Sequence, residues 1–103
     1  MGNPLIENKP GSFHWAPIFK NRNTNITLGN FSTIKNYKKD ANIEMNFYRI
    51  EDSLTITRKL SIKANSEERF VINQHNDLKK FFYDEGWVTI KADNPYIEGY
   101  YFN

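Results

Sequence analysis

The chain contains no cysteine. Disulfides and thiolate zinc sites are thereby excluded, and the fold has to stand on packing alone. It has only two histidines, His14 and His75, and neither falls in an HExxH or HxH spacing. A metal site would have to be gathered from distant residues such as Asp77 or Asp84, and none is expected. Five scattered glycines form no phosphate-cradling loop. Ser12, Ser32, Ser53, Ser61 and Ser66 lie in turns or alternate along strands, with no Gly-x-Ser-x-Gly elbow. Asp84-Glu85 is a pair of carboxylates, but neighbours on a loop point apart, so a solvated turn is expected there. These absences predict a protein that is not an enzyme and carries no cofactor.

An excess of one charge is also lacking. Lys and Arg total 14 against 12 Asp and Glu, a net charge of +2. That balance gives no footing for nucleic acid or an anionic membrane. The densest basic stretch, Lys35 to Lys39, reads as a solvated loop. The opening residues MGNPLIENKPGSF hold no apolar run, so neither a signal peptide nor a membrane-inserting segment is expected, and the expected location is cytoplasmic. Ile6 stands where a myristoylation signal would need Ser or Thr. Asn25-Ile26-Thr27 and Asn30-Phe31-Ser32 match the glycosylation pattern, but without a secretory signal they read as by-products of fourteen asparagines.

What is present is a globular balance, 39% hydrophobic and 25% charged over 103 residues. That length suits one domain with a modest core. Residues 1–11, with Pro4, Pro10 and Gly11, read as a flexible N-terminal arm, and residues 12–103 as a single domain. In SFHWAPIFK, Pro17 removes a ladder donor, which predicts an edge or bulged strand. NITLGNF sets Ile26, Leu28 and Asn30 against Thr27, Gly29 and Phe31. NIEMNFYRI places Ile43, Met45 and Phe47 on one face. LTITRKLSIK continues with Leu54, Ile56, Leu60 and Ile62 inward, interrupted by Arg58, and the pair reads as a hairpin with one wet face. ERFVIN turns Phe70 and Ile72 inward. A short helical turn near residues 77–82, capped by Asn76 or Asp77, gathers Leu78, Phe81 and Phe82. Two strands joined by Asp93-Asn94-Pro95 complete about seven strands separated by turns. The expected class is all-β, an antiparallel β-sandwich.

Sixteen of the residues are aromatic. Alternation turns Val88, Ile90 and Ile97 inward and leaves Trp87 outward. Tyr96, Glu98, Tyr100 and Phe102 share one face of the last strand. Large rings serve as core filler in a small domain, yet exposed rings on strands call for cover. Trp15, Trp87, Tyr96, Tyr100 and Phe102 are therefore the candidate interface or ligand-contact residues. The first functional reading is a non-catalytic module that self-associates as a homo-oligomer and serves as a binding, adaptor or structural subunit. A carbohydrate-binding module stacking sugars on Trp87 and Tyr100 is the alternative. A subunit of a viral or surface assembly is the third.

The order of features carries a resemblance. An aromatic-Pro strand (SFHWAP) precedes a strand with the step Leu28-Gly29-Asn30. The segment Ile43 to Tyr48 and a long polar-apolar strand follow, and a short helix leads into GWVTIKADNPYIEGYY. Over Ser12 to Phe102 this resembles the small bacterial β-sandwich domains that include the sensory rhodopsin transducer family. The resemblance implies a non-enzymatic, oligomeric sandwich used for binding or signalling. No binding residue of that family is matched here, so the rhodopsin partner is not carried over.

Overall fold

The structure is a computed structural model that describes residues 3–4, 6–8, 13–19, 23–52, 54–82 and 85–102. Its elements are β1 (Asn3–Pro4), β2 (Ile6–Asn8), β3 (Phe13–Ile18), β4 (Asn25–Asn30), β5 (Ala41–Arg49), β6 (Thr55–Ile62) and β7 (Ser66–Val71). A 3-10 turn (Ile72–Gln74), α1 (Asn76–Phe81), β8 (Gly86–Ala92) and β9 (Ile97–Phe102) follow. The expected all-β sandwich is what forms. β1-β9-β4-β7 make a four-stranded sheet and β2-β3-β8-β5-β6 a five-stranded one, and every pairing given is antiparallel. β3 to β9 are the seven longer strands, of six to nine residues each.

The layering follows from period-2 alternation. In β5, Ala41, Ile43, Met45 and Phe47 are buried while Asn42 stays exposed. Val88 and Ile90 from β8, and Ala16 and Ile18 from β3, share that inner face. Ile26 and Leu28 from β4 and Ile97 from β9 meet them from the opposite sheet. Arg58 faces inward beside Ile56 and Leu60, as the alternation predicts. It is tolerable there because β6 is a sheet edge and the guanidinium reaches out to pair with Asp77 on α1. Leu54 departs from expectation and is 56% exposed. It precedes the first paired residue of β6, so no pleat fixes its direction.

Pro17 causes no bulge. β3 pairs with β8 without interruption from Phe13 to Ile18, while β2 covers only Phe13 to Trp15. Pro17 thus lies where β3 has become the edge on its β2 side, a position where a residue without an N–H is tolerated. The segment 3–8, read from sequence as part of an arm, contributes β1 and β2, one strand to each sheet. Backbone pairing at an edge needs no hydrophobic alternation, which is why the sequence gives no strand signal there. Residues 1, 2, 5 and 9–11 of that stretch lie outside the described residues.

α1 spans Asn76–Phe81 rather than 77–82, and its N-cap is His75, with Asp77 in the first turn where the helix dipole favours an acid. Leu78, Phe81 and Phe82 are buried as expected. His75 lies flat on Phe70, ring centroids 4.2 Å apart, and Phe70 in turn stacks on Phe47 at 5.6 Å.

Candidate contact faces

The outer face of the five-stranded sheet is built in rows by strand register. Pro17, Trp87, Tyr48 and Thr55 stand side by side, then Trp15, Thr89, Asn46 and Thr57, then Lys91, Glu44 and Lys59. Tyr48 and Trp87 stack at 5.4 Å with their planes 17° apart, a cross-strand aromatic pair. Both are half-buried, as is Trp15. Beside them the Thr57 hydroxyl donates to Asn46 Oδ1 at 2.7 Å, and Asn46 Nδ2 donates to Glu44 Oε2 at 3.2 Å. Farther along, Ser61 donates to Asn42 Oδ1 at 3.1 Å. The backbone and side-chain N–H groups of Asn42 both donate to Asp93, each at 2.8 Å. Those two bonds, the backbone one foremost, hold the Asp93 carboxyl below the usual aspartate range. An open depression of about 530 Å³ lies here, lined by Asn42, Glu44, Lys59, Ser61, Lys91 and Asp93 among others.

The opposite face, on the four-stranded sheet, holds the more exposed rings. Its rows are Glu98, Gly29 and Glu67, then Tyr100, Thr27 and Arg69, then Phe102, Asn25 and Val71. Tyr100 is 49% exposed, Phe102 41% and Phe31 52%. The Phe31 ring lies over Gly29, with ring carbons 3.0 Å from where a Cβ would stand. Arg69 approaches Asn25 Oδ1 at 3.4 Å, and among the described residues it has no carboxylate within ion-pair distance.

The five candidate contact residues therefore do not converge. Trp15 and Trp87 lie on one outer face and Tyr100 and Phe102 on the other. Tyr96, in the β8–β9 turn, packs edge-on against Tyr37 at 5.4 Å. Sugar stacking that used both Trp87 and Tyr100 would need one ligand on two sides of the sandwich. Phe31 was missed as a contact residue, although its i, i+2 spacing from Gly29 signals a ring able to cover a bare stretch of strand.

A buried polar hub was also missed. Asn30 and Asn94 are fully buried, and Tyr37 nearly so. Asn30 Nδ2 donates to the carbonyls of Lys39 at 2.8 Å and Ile62 at 3.0 Å, and the Tyr37 hydroxyl donates to Asn30 Oδ1. Asn94 Nδ2 reaches the Tyr37 oxygen at 2.7 Å and the Lys39 carbonyl at 3.0 Å. The stretch Lys35 to Lys39 is thus a solvated loop around one anchored ring. Its lysines are exposed while Tyr37 is tied into the end of the sandwich. At the other end Arg49 pairs with Asp52 at 2.7 Å and lies 4.8 Å from the Phe81 ring centre. The Arg49 guanidinium is the main reason the Asp52 carboxyl sits below its usual range.

His14 is buried on the inner face of β3 and His75 is stacked on Phe70. Among the described residues no group of three or more His, Asp or Glu side chains is placed to hold a metal ion. Of the Asp84-Glu85 pair, Asp84 lies outside the described residues and Glu85 is exposed. No described helix is long and apolar enough to cross a membrane.

With two antiparallel sheets and their strand order in place, the fold can be compared with known ones. It is similar to the Anabaena sensory rhodopsin transducer. The two align with a TM-score of 0.56 over 73% of this chain and 74% of that one, at 18% sequence identity. At that identity the likeness is one of fold, and it agrees with the resemblance carried by the strand pattern. No protein-family model matches the chain, and no curated protein is significantly similar to it.

Proposed function

We propose that this protein is a non-catalytic β-sandwich module that self-associates and acts as a binding, adaptor or structural subunit in the cytoplasm. The observation that carries this reading is the trio Phe31, Tyr100 and Phe102, three rings 41–52% exposed on one sheet face. Tyr100 and Phe102 are held outward on a paired strand and Phe31 lies just past one, over Gly29, so these rings keep little conformational freedom to lose on contact and favour a second surface over water. The transducer fold agrees with a role in protein contact. Light scattering across a wide concentration range is the test. A mass that rises with concentration is expected, and a strict monomer throughout would sink the reading.

A second reading, carbohydrate binding, is favoured by the opposite face. There the stacked Tyr48–Trp87 pair and Trp15 adjoin the Thr57–Asn46–Glu44 hydrogen-bond chain. An apolar shelf beside oriented amides and carboxylates is the arrangement a sugar's faces and hydroxyls require. Tryptophan fluorescence titrated with a glycan panel should shift, and silence across the panel would count against it.

A further inference from the structure

We infer that two copies pack the outer faces of their four-stranded sheets together about a twofold axis crossing the strands between the Glu67 and Arg69 rows, so that each Arg69 meets the other copy's Glu67. The inference rests on the self-association reading and names its surface.

A twofold contact sets one patch against itself, so the residues available on each side are those of the three rows on this face. The axis can be placed in four simple ways. Running parallel to the strands, it lays β9 over the partner's β7 and sets Glu98 against Glu67, like charge on like charge. Crossing the strands at the middle row, it sets Arg69 against Arg69, which is equally unfavourable. Crossing one half-step beyond it, between the second and third rows, it sets Arg69 against Val71 and leaves the guanidinium with no carboxylate opposite. Crossing one half-step before it, between the first and second rows, it matches every strand. On β7, Glu67 faces Arg69 twice over. On β4, the Phe31 ring above Gly29 faces the half-buried Thr27. On β9, the Tyr100 hydroxyl faces the Glu98 carboxylate.

Three further facts favour this placement. Arg69 has no carboxylate within ion-pair distance among the described residues, although Glu67 stands two residues along the same strand face. β7 is the sheet edge, so the twin ion pairs fall at the rim while the rings lie inward of them. Charges at the rim beside buried rings are the common arrangement of a protein interface, and the Glu98 carboxylate, which lies among the rings, has the Tyr100 hydroxyl opposite it as a donor. The patch also contains the exposed rings for which the fold itself supplies no cover.

The test is a charge exchange on the whole chain, with dimer dissociation constants from sedimentation equilibrium. Glu67→Arg and Arg69→Glu each place like charges in both pairs, and each should weaken association by about tenfold or more. The double variant Glu67→Arg/Arg69→Glu restores both pairs and should return to within about threefold of the wild type. Both positions are exposed, and circular dichroism will verify that each variant is folded. A wild-type protein that stays monomeric would overturn the self-association reading and this inference together. Association unaffected by either single variant would overturn this inference alone, as would single variants that weaken it with no recovery in the double.

Discussion

Phe47 is fully buried, stacked on Phe70 at 5.6 Å and edge-on to Phe82 at 6.3 Å. Truncation leaves a cavity bounded by both sheets, so Phe47→Ala should cost ~3–5 kcal/mol in urea denaturation. A loss under about 1 kcal/mol would mean that the ring is not core. Gly86 is the reverse case, where adding atoms does the damage. A Cβ there would run into the Tyr48 carbonyl oxygen and the Phe82 ring. Backbone in a paired strand cannot yield as a flexible side chain can, so Gly86→Ala should destabilise by ~1–3 kcal/mol, read as a lower midpoint. Phe47 was legible because alternation within one strand places it. Gly86 was not, because the groups that crowd it come from β5 and from the residue following α1.

At the scale of elements, the hub around Asn30, Tyr37 and Asn94 joins the end of β4, the 31–40 connection, the end of β6 and the β8–β9 turn. Asn94→Ala would leave the Lys39 carbonyl and the Tyr37 hydroxyl short of a buried partner, at a cost of ~1–3 kcal/mol. Amide exchange in residues 31–40 should quicken in that variant more than in β5. Asp93 ties the same turn to Asn42 at the start of β5. Its carboxyl is held below the usual range, so its contribution is present above the ordinary aspartate pKa and is lost as pH falls through its lower folded value. The same sign holds for Asp52 beside Arg49. Stability should therefore decline as pH drops below about 4, the ordinary aspartate value. Asp93→Asn should flatten part of that decline when denaturation midpoints are compared across acid pH. The sequence showed Asp93-Asn94-Pro95 as a turn, since those residues favour one. Whether a turn's amide points to water or into a buried cluster depends on the loops beside it, and those come from far along the chain.

For the whole molecule, the sandwich sets two unlike faces back to back. One is a half-buried aromatic shelf with hydrogen-bonded polar neighbours, and the other a set of exposed rings bordered by Glu67, Glu98 and Arg69. Tyr100→Ala and Trp87→Ala discriminate between them. If association uses the four-stranded sheet, Tyr100→Ala should lower the mass seen by light scattering while Trp87→Ala leaves it unchanged. The opposite result would move the contact to the five-stranded face.

The sequence by itself determined that this is an all-β sandwich, which side chains of β5, β8 and β9 turn inward, and that a short amphipathic turn pins Leu78, Phe81 and Phe82. These follow from alternation and turn residues, which are local and act whatever the rest of the chain does. Tertiary structure alone decided that Trp87 and Tyr100 stand on opposite sides, that Asn3–Pro4 and Ile6–Asn8 add a strand to each sheet, and that a tyrosine in a basic loop is buried. Each depends on which strands become neighbours and on where loops meet, and one strand's alternation distinguishes its two faces without saying which sheet it will join.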